Sequence, residues 1–208
     1  PANVSFSLCS TDVDSITLNW NKVSKATGYQ VEMYTNGTWK TLSTLSGTSY
    51  TVSDLSQNTA YRFRVRAIRN YNYINYYGGY TEKDITIRPA NTPERLSSSA
   101  NTSSSNTITW KSMNGVSGYS VYQWIGTTDS YRKLGDNAYP YYTNSGKSSG
   151  TMYTYRVKAY YVSDNVMQYS KPAQVVTCTL PANVTVKTAK RSGSKISLAW
   201  NKVSKATG

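Results

Sequence analysis

Five of the 20 tyrosines fall inside the twelve residues RNYNYINYYGGY at 69–80. Tyr71, Tyr73, Tyr76, Tyr77 and Tyr80 alternate with Asn and Gly and follow Arg69. The chemistry of such a mixture is recognition: tyrosine offers a large amphipathic surface for two rotatable bonds, and Asn and Gly let the backbone adapt. Two readings stand, a binding loop or a long hairpin whose rings pack on their own sheet and on a neighbouring module. A smaller set follows later, with Tyr122 and Trp124 beside Arg156 and Lys158, and a loop 162–168 holding Asp164 and Met167. Arg62, Arg64 and Arg66 are two apart, so along a strand they share one face. Facing Gln30, Glu32 and Tyr34 they form a ladder of ion-pair and cation–π contacts, the other reading being a site for an anionic polymer.

Reaction chemistry has little to work with. The chain has no histidine, which removes Ser-His-Asp and Cys-His nucleophiles, imidazole metal sites and the readiest general base near neutral pH. Asp12 and Asp14 sit close together where aspartate ordinarily shapes turns, a calcium site being the remote alternative. Phosphate loops, dinucleotide fingerprints and nucleophile elbows are missing. No catalytic residue, metal or cofactor is expected. Cys9 and Cys178 lack CxxC spacing and read as two separate buried thiols. The formal charge is +13, but residues 1–92 hold nine basic and six acidic side chains, 93–180 eight and four, and 181–208 six and none. A nucleic-acid partner would call for basic residues gathered on one folded face with interleaved aromatics, so none is expected. No run approaches the roughly 18 apolar residues that span a bilayer. Beginning at Pro1 with no initiator Met or apolar leader, the chain reads as a fragment of something longer.

The elements that must position these residues announce themselves by repetition. Trp20, Trp110 and Trp200 are spaced by 90, as are Gly28, Gly118 and Gly208, and NKVSKATG at 21–28 recurs at 201–208. This predicts module one over residues 1–90, module two over 91–180, and the first two strands of a third over 181–208. Pro89 and Pro93 stiffen the joint, and modules of about 90 residues can each bury a core of their own. Inside each module apolar and polar residues alternate with period two: Ile16, Leu18, Trp20; Tyr29, Val31, Met33; Tyr61, Phe63, Val65, Ala67; then Tyr119, Val121; Tyr153, Tyr155, Val157, Ala159. Short strands at regular spacing, with Gly, Asn, Ser and Pro between them, predict sandwiches with next to no helix. Residues 181–208 should pair weakly, leaving Trp200 far more exposed than Trp20 or Trp110.

The succession PANV, SITLNW, GYQVEMY and SYTVSDLSQNTAYRFRVRA resembles the fibronectin type III module, in the tandem form found in secreted and surface proteins of Gram-positive bacteria. The resemblance implies an all-β chain of two consecutive immunoglobulin-like sandwiches plus an incomplete third. It makes Trp20 and Trp110 the core tryptophans of strand B, and gives Tyr61 and Tyr153 the role of tying a hydroxyl to the preceding turn. It also places the tyrosine-rich segment between strands F and G, with Gly78-Gly79 as the expected bend. Module two departs near PYYTNSGKSSG, which lacks the leucine usual before that turn.

A non-catalytic extracellular or cell-surface array is therefore expected. It would hold a host protein, possibly an immunoglobulin, or a glycan through Arg69, Tyr71, Tyr73, Tyr76, Tyr77, Tyr80, Tyr122 and Trp124, with neighbouring modules of the parent chain as its other partners. A passive spacer is one alternative, and an accessory region of a larger secreted carbohydrate-active enzyme another. The sandwich serves all three, so the fold does not choose among them.

Overall fold

The computed structural model describes residues 1–205; Gly208, which closes the third copy of the repeated motif, lies outside them. Every regular element among these residues is a strand. The chain separates into two compact units. The first collects Pro1–Thr92, Gly115–Ser117 and Ala159–Lys171; the second collects Pro93–Asn114, Gly118–Lys158 and the chain from Pro172 on.

The first unit uses β1 (Cys9–Thr11), β2 (Ile16–Asn19), β3 (Gly28–Thr35), β4 (Thr38–Leu45), β5 (Ser49–Val52), β6 (Ala60–Tyr71), β7 (Ile74–Tyr77) and β8 (Thr81–Thr86). One sheet runs β1, β2, β5; the other runs β4, β3, β6, with β7 and β8 following one another along the free edge of β6. The alternation in the sequence is obeyed. Ile16, Leu18, Tyr29, Val31, Phe63, Val65 and Ala67 are buried between the sheets, each large side chain contributing about 1.5–3 kcal/mol by leaving water. Trp20 meets the Tyr29 ring edge-on at 5.5 Å, and the Tyr29 hydroxyl accepts from Val23 N at 2.8 Å. The Tyr61 hydroxyl accepts from Ser56 N at 2.7 Å, which pins the preceding turn. Asp12 shapes its own turn by accepting from Val13 N at 2.9 Å.

The second unit repeats the plan with β9 (Ser97–Ser99), β10 (Ser105–Thr109), β11 (Gly118–Ile125), β12 (Ser130–Asn137), β13 (Tyr141–Ser145) and β14 (Met152–Ser163). Trp110 meets Tyr119 edge-on at 5.1 Å, and the Tyr153 hydroxyl accepts from Ser148 N at 3.0 Å. From Ala159 onward β14 belongs to the first unit, where it turns back into β15 (Val166–Tyr169). There β15 lies parallel to β1, with Cys9 opposite Val166 and Thr11 opposite Gln168. Val166 and Gln168 are buried and β15 is paired on both sides, so the segment 162–168 is not an open loop but a hairpin turn at Asp164-Asn165 leading into a strand inside the sheet.

The second unit continues with β16 (Ala173–Cys178), paired to the first half of β14. Finally β17 (Val186–Ser192) and β18 (Lys195–Trp200), among the described residues, pair only with each other. Ile196, Leu198 and Trp200 have no opposing sheet, and Trp200 is 58% exposed against 3% for Trp20 and 6% for Trp110. The expectation of two buried thiols needs correcting. Cys9 is buried, which pushes its thiol pKa up, whereas Cys178 takes an outward position of the alternating strand β16 and is exposed.

Candidate functional site

The tyrosine-rich segment is a hairpin built on an extension of the sheet. β6 pairs with β8 over residues 60–65 and with β7 over 68–71. Asn72 and Tyr73, both with positive φ (49° and 63°), make the two-residue turn between them. A turn with both central residues left-handed matches the twist of the flanking strands. The bend therefore falls at Asn72-Tyr73, and the expected bend at Gly78-Gly79 is corrected. Those two glycines are needed for another reason. A Cβ on Gly78 would lie 3.0 Å from the carbonyl oxygens of Pro1 and Ala2, and one on Gly79 would lie 2.7 Å from Asn3 Oδ1. They let the N-terminal segment cross the sheet edge where β7 gives way to β8.

Register divides the tyrosines between two faces, because directly opposed residues share a face. Arg69 opposes Tyr76 and Tyr71 opposes Ile74, which places these four together. Arg69, Tyr71 and Tyr76, with Pro1, line an open cleft of about 380 Å³, and the Arg69 guanidinium lies 5.5 Å from the Tyr71 ring centre. Tyr77, opposite Ile68, belongs to the other face, where its ring stacks on Arg66 at 4.0 Å. Tyr80 joins it there, stacking on Arg64 at 3.9 Å and Arg66 at 4.5 Å. Tyr73 stands at the tip and is 100% exposed.

The residue at the tip is costly. A bulky side chain in the left-handed region is a genuine outlier, with strain of about 1–3 kcal/mol. The hairpin β14–β15 makes the same kind of turn with Asp164 and Asn165, residue types that tolerate this backbone. Nothing in the fold requires tyrosine at 73. Replacing Tyr73 by Gly should therefore stabilise the first unit by about 1 kcal/mol, seen as a higher denaturation midpoint.

The arginine stripe forms the ladder expected of it. Arg64 gives Nε and Nη2 to Glu32 Oε2, each at 2.6 Å, and Thr41 donates to Glu32 Oε1 at 3.0 Å. Arg66 donates to Gln30 Oε1 at 2.7 Å. Burial pushes the Glu32 carboxyl up, but hydrogen bonds from Arg64, Thr41 and Tyr80 outweigh it and hold the group below its ordinary value. Arg62 departs from the expected ladder. It pairs with Asp84 on β8 at 2.9 Å, in the open, because β8 lies on its side of β6 at that level. With Arg64 and Arg66 both engaged by polar partners and by rings, this face is a stacked lattice, completed by Trp39 over Arg64 at 4.3 Å and Tyr34 edge-on to Trp39.

Tyr122 and Trp124 lie on β11 in the second unit, on that unit's own outward face. Trp124 packs on Tyr131 at 4.9 Å, Arg156 covers Tyr131 at 3.9 Å, and the Tyr131 hydroxyl donates to Gln174 at 2.8 Å. Trp124, Tyr131 and Arg156 form a smaller copy of the stacked lattice. Sequence reasoning missed Ile74, Pro1 and Trp39 in these surroundings. For Ile74 a signal existed, an apolar residue exposed among tyrosines two positions before Tyr76. The described residues contain no group of three or more Cys, Asp or Glu side chains placed to hold a metal.

Residues 1–74 match the family described as Fibronectin type III domain. Chitinase A1 of Niallia circulans is 31% identical over 182 residues, covering 82% of this chain and 25% of that protein. Exoglucanase B of Cellulomonas fimi is 26% identical over 209 residues, covering 89% of this chain and 18% of that protein. The chain thus spans a quarter or less of the length of these relatives. Among solved structures, the FN1–FN3 domains of chicken CNTN1 align at TM-score 0.47 and 19% identity, covering 86% of this chain and 67% of theirs. A two-domain fibronectin type III segment of chicken tenascin aligns at TM-score 0.38 and 17% identity, covering 86% of this chain and 99% of its own.

Proposed function

From the match of residues 1–74 to the fibronectin type III family we propose that the chain is a non-catalytic, extracellular accessory region of a larger carbohydrate-active enzyme, touching polysaccharide through the β6–β7 hairpin. The observation that carries the accessory role is the match to a chitinase and an exoglucanase, in each of which the matched part is a small share of an enzyme. The hairpin supplies the contact. Arg69, Tyr71, Ile74 and Tyr76 present one open face beyond the end of the core, and Tyr73 is strained and wholly exposed at its tip. Flat rings with a hydroxyl at one end suit the apolar face and polar rim of a sugar ring, and a neighbouring guanidinium adds donors. Strain kept at an exposed aromatic is a mark of function.

The test is co-sedimentation of the chain with crystalline chitin and with microcrystalline cellulose. The expected result is retention by at least one polymer with no release of sugar. Changing Tyr71, Tyr73 and Tyr76 together to Ser should weaken that retention at least tenfold while unfolding stays within about 1 kcal/mol. Absence of retention for the parent chain removes the glycan contact and leaves a spacer. Capture of a host serum protein through the same three tyrosines would replace the glycan by a protein ligand.

A further inference from the structure

The two sandwiches differ in polarity at one end of the core, where repeats of one family would be expected to agree. In the first unit that end is apolar. Ile16 opposes Val52, Met33 opposes Phe63, and Leu55 sits just before the serine that the Tyr61 hydroxyl holds. The corresponding positions of the second unit are Asn106, Gln123, Asn144, Lys147 and Tyr155. Asn106 opposes Asn144, Lys147 sits just before the serine held by Tyr153, and Tyr155 follows Tyr153 by two as Phe63 follows Tyr61.

All five apolar side chains are thus replaced by polar ones, and the replacements form one connected network of hydrogen bonds. Lys147 Nζ donates to Gln123 Oε1 at 3.1 Å, and Asn144 Nδ2 donates to the same oxygen at 2.9 Å. Asn144 Nδ2 also donates to the Tyr155 hydroxyl at 3.1 Å, which in turn donates to Asn106 Oδ1 at 3.4 Å. Asn106, Gln123 and Tyr155 are buried, Asn106 to 1% exposure.

Such a network is a poor source of stability. Well-packed apolar groups in its place are commonly as stable or more so, and one of its own donors, Asn106 Nδ2, finds no hydrogen-bond partner among the described residues. What it does supply is discrimination. A strand carrying Asn106 or Asn144, set among Val52, Met33 and Phe63, would bury amides with nothing to bond. In the second sandwich, a strand carrying Val52 would remove the Asn144 link in the middle of the network, and one carrying Ile16 would leave the buried Tyr155 hydroxyl without its acceptor.

We infer that the polar and apolar core ends act as a pairing code that keeps the strands of adjacent, similar modules from being exchanged during folding. Exchange and misassembly between neighbours are the characteristic failures of repeat proteins. The sequence continues the alternation. In residues 181–208, where NKVSKATG returns, the position matching Ile16 and Asn106 is Ile196, so the apolar type recurs only after the polar module has intervened.

The test refolds the full chain from denaturant at micromolar protein and measures the fraction recovered as native monomer, by size-exclusion chromatography and tryptophan emission. Two matched chains are compared with the parent. N106I/Q123M/N144V/K147L/Y155F gives both sandwiches the apolar set, and I16N/M33Q/V52N/L55K/F63Y gives both the polar set. In each, the non-native fraction should rise several-fold and grow with protein concentration, and the first should unfold at a denaturant midpoint no lower than the parent's. The second chain is less apolar than the parent, so a rise there is not generic stickiness. Recovery at the parent's level in either matched chain overturns the inference. Loss of cooperative unfolding of the second unit in the all-apolar chain also overturns it, because the network would then be a requirement of that sandwich alone.

Discussion

Replacing Arg64 by Ala should destabilise the first unit by about 3–5 kcal/mol, the usual consequence of leaving one member of a buried ion pair without its partner. Glu32 is 6% exposed and depends on Arg64 for two of its contacts, both on Oε2. Against a total stability of about 5–15 kcal/mol this is a large share, and in a unit of this size it lowers the melting temperature by roughly 15 °C or more. Part of the loss is stacking, since Arg64 lies between the rings of Trp39 and Tyr80. The double change R64A/E32Q separates the terms. With the carboxylate gone there is no orphaned charge, and the double variant should recover about half or more of what the single one loses.

The same carboxylate sets an acid limit. Its folded pKa lies below the ordinary 4.5, so its stabilisation is fully present above that value and is lost as pH falls through the lower, folded one. Denaturation midpoints of the first unit should therefore drop on acidification below about pH 4.5, and E32Q should flatten that slope. A midpoint insensitive to pH between 5 and 2 would show that the ion pair contributes nothing. Arg62 makes the contrasting case: its pair with Asp84 is exposed on both sides, so Arg62→Ala should leave the midpoint nearly unchanged.

The second large effect is expected at Gln168. Its Oε1 accepts from Thr11 Oγ1 at 2.7 Å and from Arg88 N at 2.9 Å, while its Nε2 donates to Thr86 O at 2.9 Å. Thr11 is as buried as Gln168 itself. Replacement by Leu keeps the approximate volume but deprives a buried hydroxyl together with the part-buried Arg88 amide and Thr86 carbonyl, at about 1–3 kcal/mol for the buried group and less for the other two. We expect a loss of about 2–3 kcal/mol in the first unit, read from its denaturant midpoint, and at least as large a loss for Gln168→Glu at neutral pH, because it sets a buried carboxylate against the Thr86 carbonyl oxygen. A change below about 0.5 kcal/mol would mean that β15 does not hold its place beside β1 in solution.

How far these residues were legible in the sequence differs from one to the next. The 90-residue spacing of Trp20, Trp110 and Trp200 and the period-two alternation carry the fold class, because alternation is a local property that any half-buried strand must display. Trp20 and Trp110 in the core and the hydroxyls of Tyr61 and Tyr153 on their turns were readable through the resemblance to the fibronectin type III module, and Arg64 against Glu32 through the face each takes on its strand. Gln168 was not. In the sequence it is one polar residue in a polar loop, and its importance arises only because β15 reaches β1, some 157 positions earlier in the chain.

The hairpin shows where local reasoning stops. Tyrosine density at 69–80 marked a surface, and alternation required some rings to face solvent. Which rings share a face was decided by pairing register, which put Tyr71 and Tyr76 with Arg69 and sent Tyr77 and Tyr80 to the arginines of the opposite face. The turn itself went to Asn72-Tyr73 against local preference, because Gly78 and Gly79 are held by close passage of residues 1–3. By itself the sequence determined two sandwiches, their cores and a departure near PYYTNSGKSSG in the second. Tertiary structure alone decided which edge each strand covers and which side of the sheet each tyrosine presents. Period two fixes only that neighbours along a strand point apart, and register and edge are set by partners remote in the chain.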